Sequence, residues 1–388
     1  MSSSLRVTDI KAYPTSFPVP VENRVSLGIG QSVKRDAVVV KVTTDSGLVG
    51  WGEALCVGMQ PPDIAAAAIR SLFAPLLIGC DPREPEVLWH RMYNRTRDYG
   101  RKGAVISGLS GVDIALWDLC GKARGEPVWR LLGGAFRRRV EAYATGFYRV
   151  QGQGEANRLA AEALAHHDSG LTVMKVKLGF GIEDDVAVMR AIRTALGDRP
   201  VTLMVDANHA YGEADAIRLG RALEPYALRW YEEPVVPENL AGYRNVRRAL
   251  AIPIAGGECE YTLFGFRNLA QAEAVDIAQP DIAAAGGFTA CRHIAALCVA
   301  HGIEVNPHVW GAGVAQRASL HLIASLPVAN PSLFQREPVF EYDCSDHPFR
   351  SALVDRPIRH VDGWIEIDDR PGLGVEIDRA ALERFAAA

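Results

Sequence analysis

The chain has 388 residues, too many for one small core, so two domains or one large barrel with additions is expected. A formal net charge of −4 without any long basic run argues against nucleic acid as a partner. Hydrophobic residues make up 48% and charged residues 23%, and neither a secretory leader nor a bilayer-length apolar run is evident, so a soluble, cytoplasmic protein with no membrane partner is expected.

The N-terminal part reads as β and then α. In "DAVVVKVTTDSGLVGWGE" (36–53), two apolar runs flank Asp45-Ser46-Gly47, a hairpin signal. Residues 62–133 read as helices. The longest, "ISGLSGVDIALWDLCGKARG", places Leu109, Val112, Ile114, Leu116 and Leu119 at helical spacing and has Gly125 near its end. Residues 1–133 are therefore expected to form a separate α+β domain.

From residue 134 to 349 the rhythm changes. Short apolar strands alternate with helical stretches: "VEAYAT", "TVMKVK", "VTLMVD", "LRWYEE", "IPIAGGE", "AVDIAQP", "IEVNPH" and "FQREPVFEYD". Eight βα units predict a (β/α)8 barrel of the α/β class. A doubly wound sheet is the alternative, but no GxGxxG follows the first strand. Residues 350–388 leave the rhythm and are expected to pack back on the N-terminal domain.

Barrel enzymes carry their chemistry at the C-terminal ends of the strands. Seven consecutive strands here deliver an ionisable group to that rim, about one βα unit apart: Lys177, Asp206, Glu232, Glu258, Asp281, His308 and Glu341. Lys175 shares a face with Lys177, because side chains alternate along a strand. Read alone, such a lysine pair also fits a wet edge strand. The rim as a whole favours a site.

Asp206, Glu232 and Glu258 come from three adjacent strands and would repel without a cation. An all-oxygen set suits Mg2+. The same alternation turns Glu233 away, and Glu260 lies beyond its strand. The seven cysteines are scattered without a CxxC pair, which fits reduced thiols better than a zinc site or a disulfide framework. A lysine beside another cation is expected to have a lowered pKa and to act as a base, and a carboxylate beside His308 is expected to raise the imidazole's proton affinity. Metal and flanking bases together suit removal of a proton α to a carboxylate.

With "KVK", "VDAN", "EEP", "GGE", the Asp281/His308 pair and "FEYD", the chain resembles the enolase superfamily, in its mandelate racemase-like group, over nearly its whole length. The resemblance implies Mg2+ held by Asp206, Glu232 and Glu258. Lys177, assisted by Lys175, and His308, paired with Asp281, would be acid/bases on opposite faces. Glu341 would sit near the substrate carboxylate and donate a hydrogen bond if protonated. "MVDANHAY", "EEPVVPENL", "QPDIAAAGGF" and "PHVWGAGV" look similar to the group's cycloisomerases, which open sugar-acid lactones.

Some acid-sugar dehydratases of the group carry histidine where this chain has Asn208, beside His209, which lowers the weight of dehydration against cycloisomerisation; racemisation stays open. The resemblance further implies a small carboxylate substrate, a sugar acid or its lactone, and a homo-oligomer. Two cap loops, about 15–35 and 51–53, would close over the barrel mouth, bringing Arg24, Lys34 and Arg35 to the substrate's distal end, with Trp310 lining the pocket. Two readings of other classes remain: a Schiff-base barrel enzyme using a lysine amine, and a silent metal-binding scaffold.

Overall fold

The computed structural model describes residues 5–57, 60–328, 332 and 336–387. Alternating Val38, Val40 and Val42 build strand β4 (Lys34–Thr44), which lies between β1 (Val7–Pro18) and β5 (Val49–Leu55) in an antiparallel sheet. The β4–β5 turn falls at Asp45-Ser46-Gly47, where Gly47 takes φ +82°. Between β1 and β4 the chain forms a small hairpin, β2 (Val25–Leu27) and β3 (Gly30–Ser32).

The helix Ala104–Arg124 packs on β4 and β5. It is long and apolar enough to cross a bilayer, which corrects the reading that no run is, but 89% of its apolar window is buried inside the protein. It is a core helix, stopped by Gly125 in the left-handed conformation, φ 69°.

The eight remaining core strands are β6 (Arg139–Thr145), β7 (Val173–Lys177), β8 (Thr202–Asp206), β9 (Tyr231–Glu232), β10 (Ile254–Gly256), β11 (Ile277–Ala278), β12 (Glu304–Val305) and β13 (Phe340–Asp343). All paired neighbours run parallel, in chain order from β6 to β12, with β13 beside β6. Helices Ala156–Asp168, Ile182–Leu196, Glu213–Leu223, Leu240–Ala249, Thr262–Gln271, Gly287–Ala300 and Gly313–Ser325 alternate with them. This is a (β/α)8 barrel with an N-terminal capping domain.

Between β12 and β13 a side chain closes the seam. Asn306 donates to the Val339 carbonyl (3.2 Å) and accepts from its N–H (2.8 Å). A last strand, β14 (Trp364–Glu366), runs antiparallel to the start of β6. Beyond it, the Leu373 N–H donates to Asp118 of the core helix (2.8 Å), and the Ala387 N–H to the Pro14 carbonyl of β1 (2.9 Å).

Two cap segments differ from the sequence reading. Residues 15–35 are not an open loop, since they hold the end of β1, the β2–β3 hairpin and the start of β4. The hairpin seats on the barrel: Ser26 and Arg149 exchange backbone hydrogen bonds, and Gly28 packs so closely on Gly179 that a Cβ would overlap it. Residues 51–53 are inside β5 rather than in a turn. Glu53 is fully buried there and accepts the N–H groups of Ala312 (2.5 Å) and Ala315 (2.9 Å), the start of helix Gly313–Ser325.

Candidate active site

The parallel pairing sets the rim. Lys177 lies beside Asp206 in register, and Asp206 beside Glu232. β7 is an inner strand between β6 and β8, so its two lysines face the barrel interior, Lys175 0% and Lys177 5% exposed. Unpaired ammonium groups at that depth are too costly to keep, and both are paired. Lys175 Nζ is 2.6 Å from Glu232, 2.8 Å from Glu341 and 3.8 Å from Asp206. Lys177 Nζ is 2.5 Å from Asp206.

The carboxylates Asp206, Glu232 and Glu258 offer oxygens that all lie within 4.8 Å of one another. Trp230 Nε1 (2.8 Å) and Gln279 Nε2 (2.7 Å) donate to one oxygen of Glu232, and the Asn208 N–H donates to Asp206 (2.8 Å). Burial, then the charges of Asp206, Glu341 and Glu258, push Glu232 up to about 7 against the pull of Lys175. Three carboxylates oriented this tightly, two of them fully buried, fit a small divalent cation held by oxygen.

On the other flank His308 Nδ1 is 2.8 Å from Asp281, and Nε2 is 3.3 Å from Glu258 and 3.8 Å from Glu341. Burial alone would favour the neutral ring. The charges of Glu258, Glu341 and Asp281 outweigh it and raise the imidazole to about 10. Glu341 also accepts from Thr145 Oγ1 (2.8 Å) and from the Val309 N–H (3.0 Å).

One electrostatic expectation is corrected, and one charge state left open by the sequence is decided. Lys177 was expected below the ordinary lysine value. Burial and Lys175 do act downward, but the Asp206 carboxylate in contact overrides both and holds it above. The protonation of Glu341 is left open by the sequence. Burial pushes it up, but Lys175 and His308 together hold it below the ordinary carboxylate range, so it is ionised.

Above this floor lies a cavity of about 390 Å³, lined by Lys177, Asn208, Glu258, His308 and Trp310, and from the cap by Lys34 and Arg35. Asn208 is 5% exposed, has φ 41°, and its Oδ1 has no hydrogen-bond partner. Two guanidiniums approach the Trp310 ring, Arg35 Cζ at 5.2 Å and Arg350 Cζ at 5.5 Å from its centre. Arg35 is buried, donates to Ser32 (2.6 Å) and Ser345 (3.2 Å), and contacts no carboxylate among the described residues. Lys34 is taken by an ion pair with Asp36. Arg24 is not among the lining residues; its Nε donates to the Val19 carbonyl (3.2 Å).

Sequence reasoning passed over Thr145, Trp230 and Gln279, which hold Glu341 and Glu232 in place. Thr145 and Gln279 stand at or just past strand ends, so extending the rim rule from charged to neutral polar residues finds both. Glu233, set aside by alternation, is also buried at the site (1% exposed), because its φ of 45° breaks the strand there.

Barrel, cap and rim together define the class, and the chain belongs to it: residues 11–133 match the N-terminal domain of the mandelate racemase/muconate lactonizing enzyme family, and residues 158–381 the enolase C-terminal domain-like family. It is an enolase-superfamily enzyme of the isomerase and lyase kinds. The D-galactarolactone cycloisomerase of Agrobacterium fabrum is 42% identical over 352 residues, 91% of this chain and 92% of that one. Among solved structures, the 3,6-anhydro-D-galactonate cycloisomerase of Zobellia galactanivorans superposes with a TM-score of 0.88 at 37% identity, covering 99% of this chain and 100% of that one. A Streptomyces coelicolor racemase with bound magnesium does so at 0.86 and 30%, covering 98% and 100%. Further relatives are arabinonate and galactonate dehydratases.

Proposed function

We propose that this enzyme removes the proton α to the carboxylate of a sugar-acid lactone and opens the ring by β-elimination, a cycloisomerisation. The observation that carries this reading is the placement of Lys177 and His308, each in contact with an end member of the carboxylate trio and both lining one cavity. Asp206, Glu232 and Glu258 would hold Mg2+, which supplies positive charge for the carboxylate oxygens as the α-carbon loses its proton.

The chain's own groups do the rest. With a cation on the trio, the Asp206 and Glu258 charge that holds Lys177 and His308 protonated would be drawn off. Whichever of the two faces the α-proton then takes it in its neutral form, according to the configuration of that carbon, and the group opposite returns one. Asp281 on Nδ1 fixes the imidazole so that Nε2 faces the reaction. Lys175 neutralises Glu232 and Glu341 and holds them in place. Arg35, with no carboxylate partner among the described residues, is the cap group suited to the far end of the substrate.

Ring opening expels the lactone oxygen as a carboxylate, which needs no proton; loss of hydroxide does need one. Asn208, an amide, cannot supply it, which weighs against the dehydratases that use a histidine at that position; a dehydration here would have to draw the proton from Lys177 or His308. The elimination conserves atoms: the α C–H and β C–O bonds break, a double bond forms, and the enol product takes up a proton at carbon.

Proton NMR in D2O with Mg2+, comparing aldaric-acid lactones with free aldonic and aldaric acids, tests the reading. Lactone consumption with deuterium entering the product is expected. Consumption of free acids alone, with water lost, would establish dehydration instead. Exchange at the α-carbon without net change would establish racemisation, and a borohydride-trapped lysine adduct the Schiff-base alternative.

A further inference from the structure

One residue past each of two trio members lies a second group of ligand-type side chains that the proposed reaction does not use. Glu233 follows Glu232, and Cys259 follows Glu258, while His209 stands in the loop after Asp206. A ring nitrogen of His209, a carboxylate oxygen of Glu233 and the sulfur of Cys259 all lie within 4.8 Å of one another. The His209 N–H donates to the Glu233 carbonyl (2.8 Å), tying the two loops together.

Glu233 is 1% exposed, and its Oε2 accepts no hydrogen bond among the described residues. A buried carboxylate oxygen left open calls for a partner. His209 and Cys259 are half-buried and line the cavity, so an ion can reach the group from solvent.

We infer that His209, Glu233 and Cys259 form a second metal site, for a softer divalent ion such as Zn2+, beside the oxygen-only trio. The two sets differ in chemistry. Three carboxylates suit Mg2+, whereas one imidazole, one carboxylate and one thiolate with an open position toward the cavity suit a tetrahedral zinc site. Binding releases the protons that the acidic ligands carry: the Cys259 S–H and Glu233 O–H bonds break, the protons go to buffer, and sulfur and oxygen bond the ion. Carboxylate and thiolate then balance the dication. Its occupant shares the cavity with the substrate, so the site makes the enzyme responsive to zinc.

Cobalt(II), titrated into the full-length protein in saturating Mg2+, tests this. One cobalt per chain is expected, with near-ultraviolet thiolate-to-cobalt absorption that Zn2+ removes and a large excess of Mg2+ does not. Cys259→Ser removes the band, and His209→Asn weakens cobalt binding roughly tenfold or more. Absence of the band, its survival in Cys259→Ser, or its loss to Mg2+ alone would overturn the assignment, leaving a hydrogen-bonded cluster without an ion. Should the serine variant not fold, His209→Asn, at a half-buried loop position, carries the test by itself: unchanged cobalt affinity overturns it.

Discussion

Lys177 and Lys175 have the same side chain two residues apart, yet they take different tasks because they meet different carboxylates. Lys175 is fully enclosed between Glu232 and Glu341, whereas Lys177 reaches the cavity. The face they share was legible from alternation. The charge state was not, since it depends on Asp206, 29 residues away along the chain. In the proposed reaction Lys177→Met and His308→Asn each lower turnover by about 10²–10⁴-fold while circular dichroism shows the fold retained. Near-normal rates in both would refute the two-base scheme.

His321, away from the site, makes a second prediction. It accepts the Trp129 N–H on Nδ1 (3.1 Å), lies 3.2 Å from the Leu373 carbonyl through Nε2, and is pushed down by burial to about 4. The folded ring is therefore neutral, while the unfolded one binds a proton below about 6.5. Its share of stability is intact above that pH and is lost as pH falls toward about 4, by about 3 kcal/mol. Urea unfolding at pH 7 and pH 4.5 checks this: the drop should be smaller in His321→Gln.

At the scale of elements, small residues let the cap helix touch its sheet. Gly52 of β5 faces Gly111 of helix Ala104–Arg124 so closely that a Cβ would overlap the Gly111 carbonyl oxygen, and a Cβ on Gly111 would in turn meet the backbone of β5. Gly52→Ala should therefore cost about 1–3 kcal/mol, at the upper end because backbone cannot rotate away, and thermal melting would show it. An unchanged melting temperature would mean that helix and sheet can separate freely. Composition made this helix look short of a bilayer span, and only its packing shows why an apolar helix of that length needs no membrane. The β2–β3 hairpin was equally hidden, since strands of three residues are too short to carry a periodic signal and form by seating on the loops after β6 and β7.

Across the whole molecule, the barrel brings negative charge together faster than its lysines neutralise it, so a bound dication should stabilise the fold. Saturating Mg2+ is expected to raise the melting temperature, with about 2.7 kcal/mol at a hundred times the dissociation constant. Asp206→Asn should shrink that shift and raise the Mg2+ concentration needed for activity; an equal shift in the variant would place the ion elsewhere. The order of βα units and the rim positions of Lys177, Asp206, Glu232, Glu258, Asp281, His308 and Glu341 were set by the sequence itself, because strand alternation and strand ends are local properties of the backbone. Only the tertiary structure decided that Glu341 is ionised, that Arg35 rather than Arg24 reaches the cavity, and that Glu233 joins His209 and Cys259. Those outcomes depend on burial and on charges brought close from distant parts of the chain.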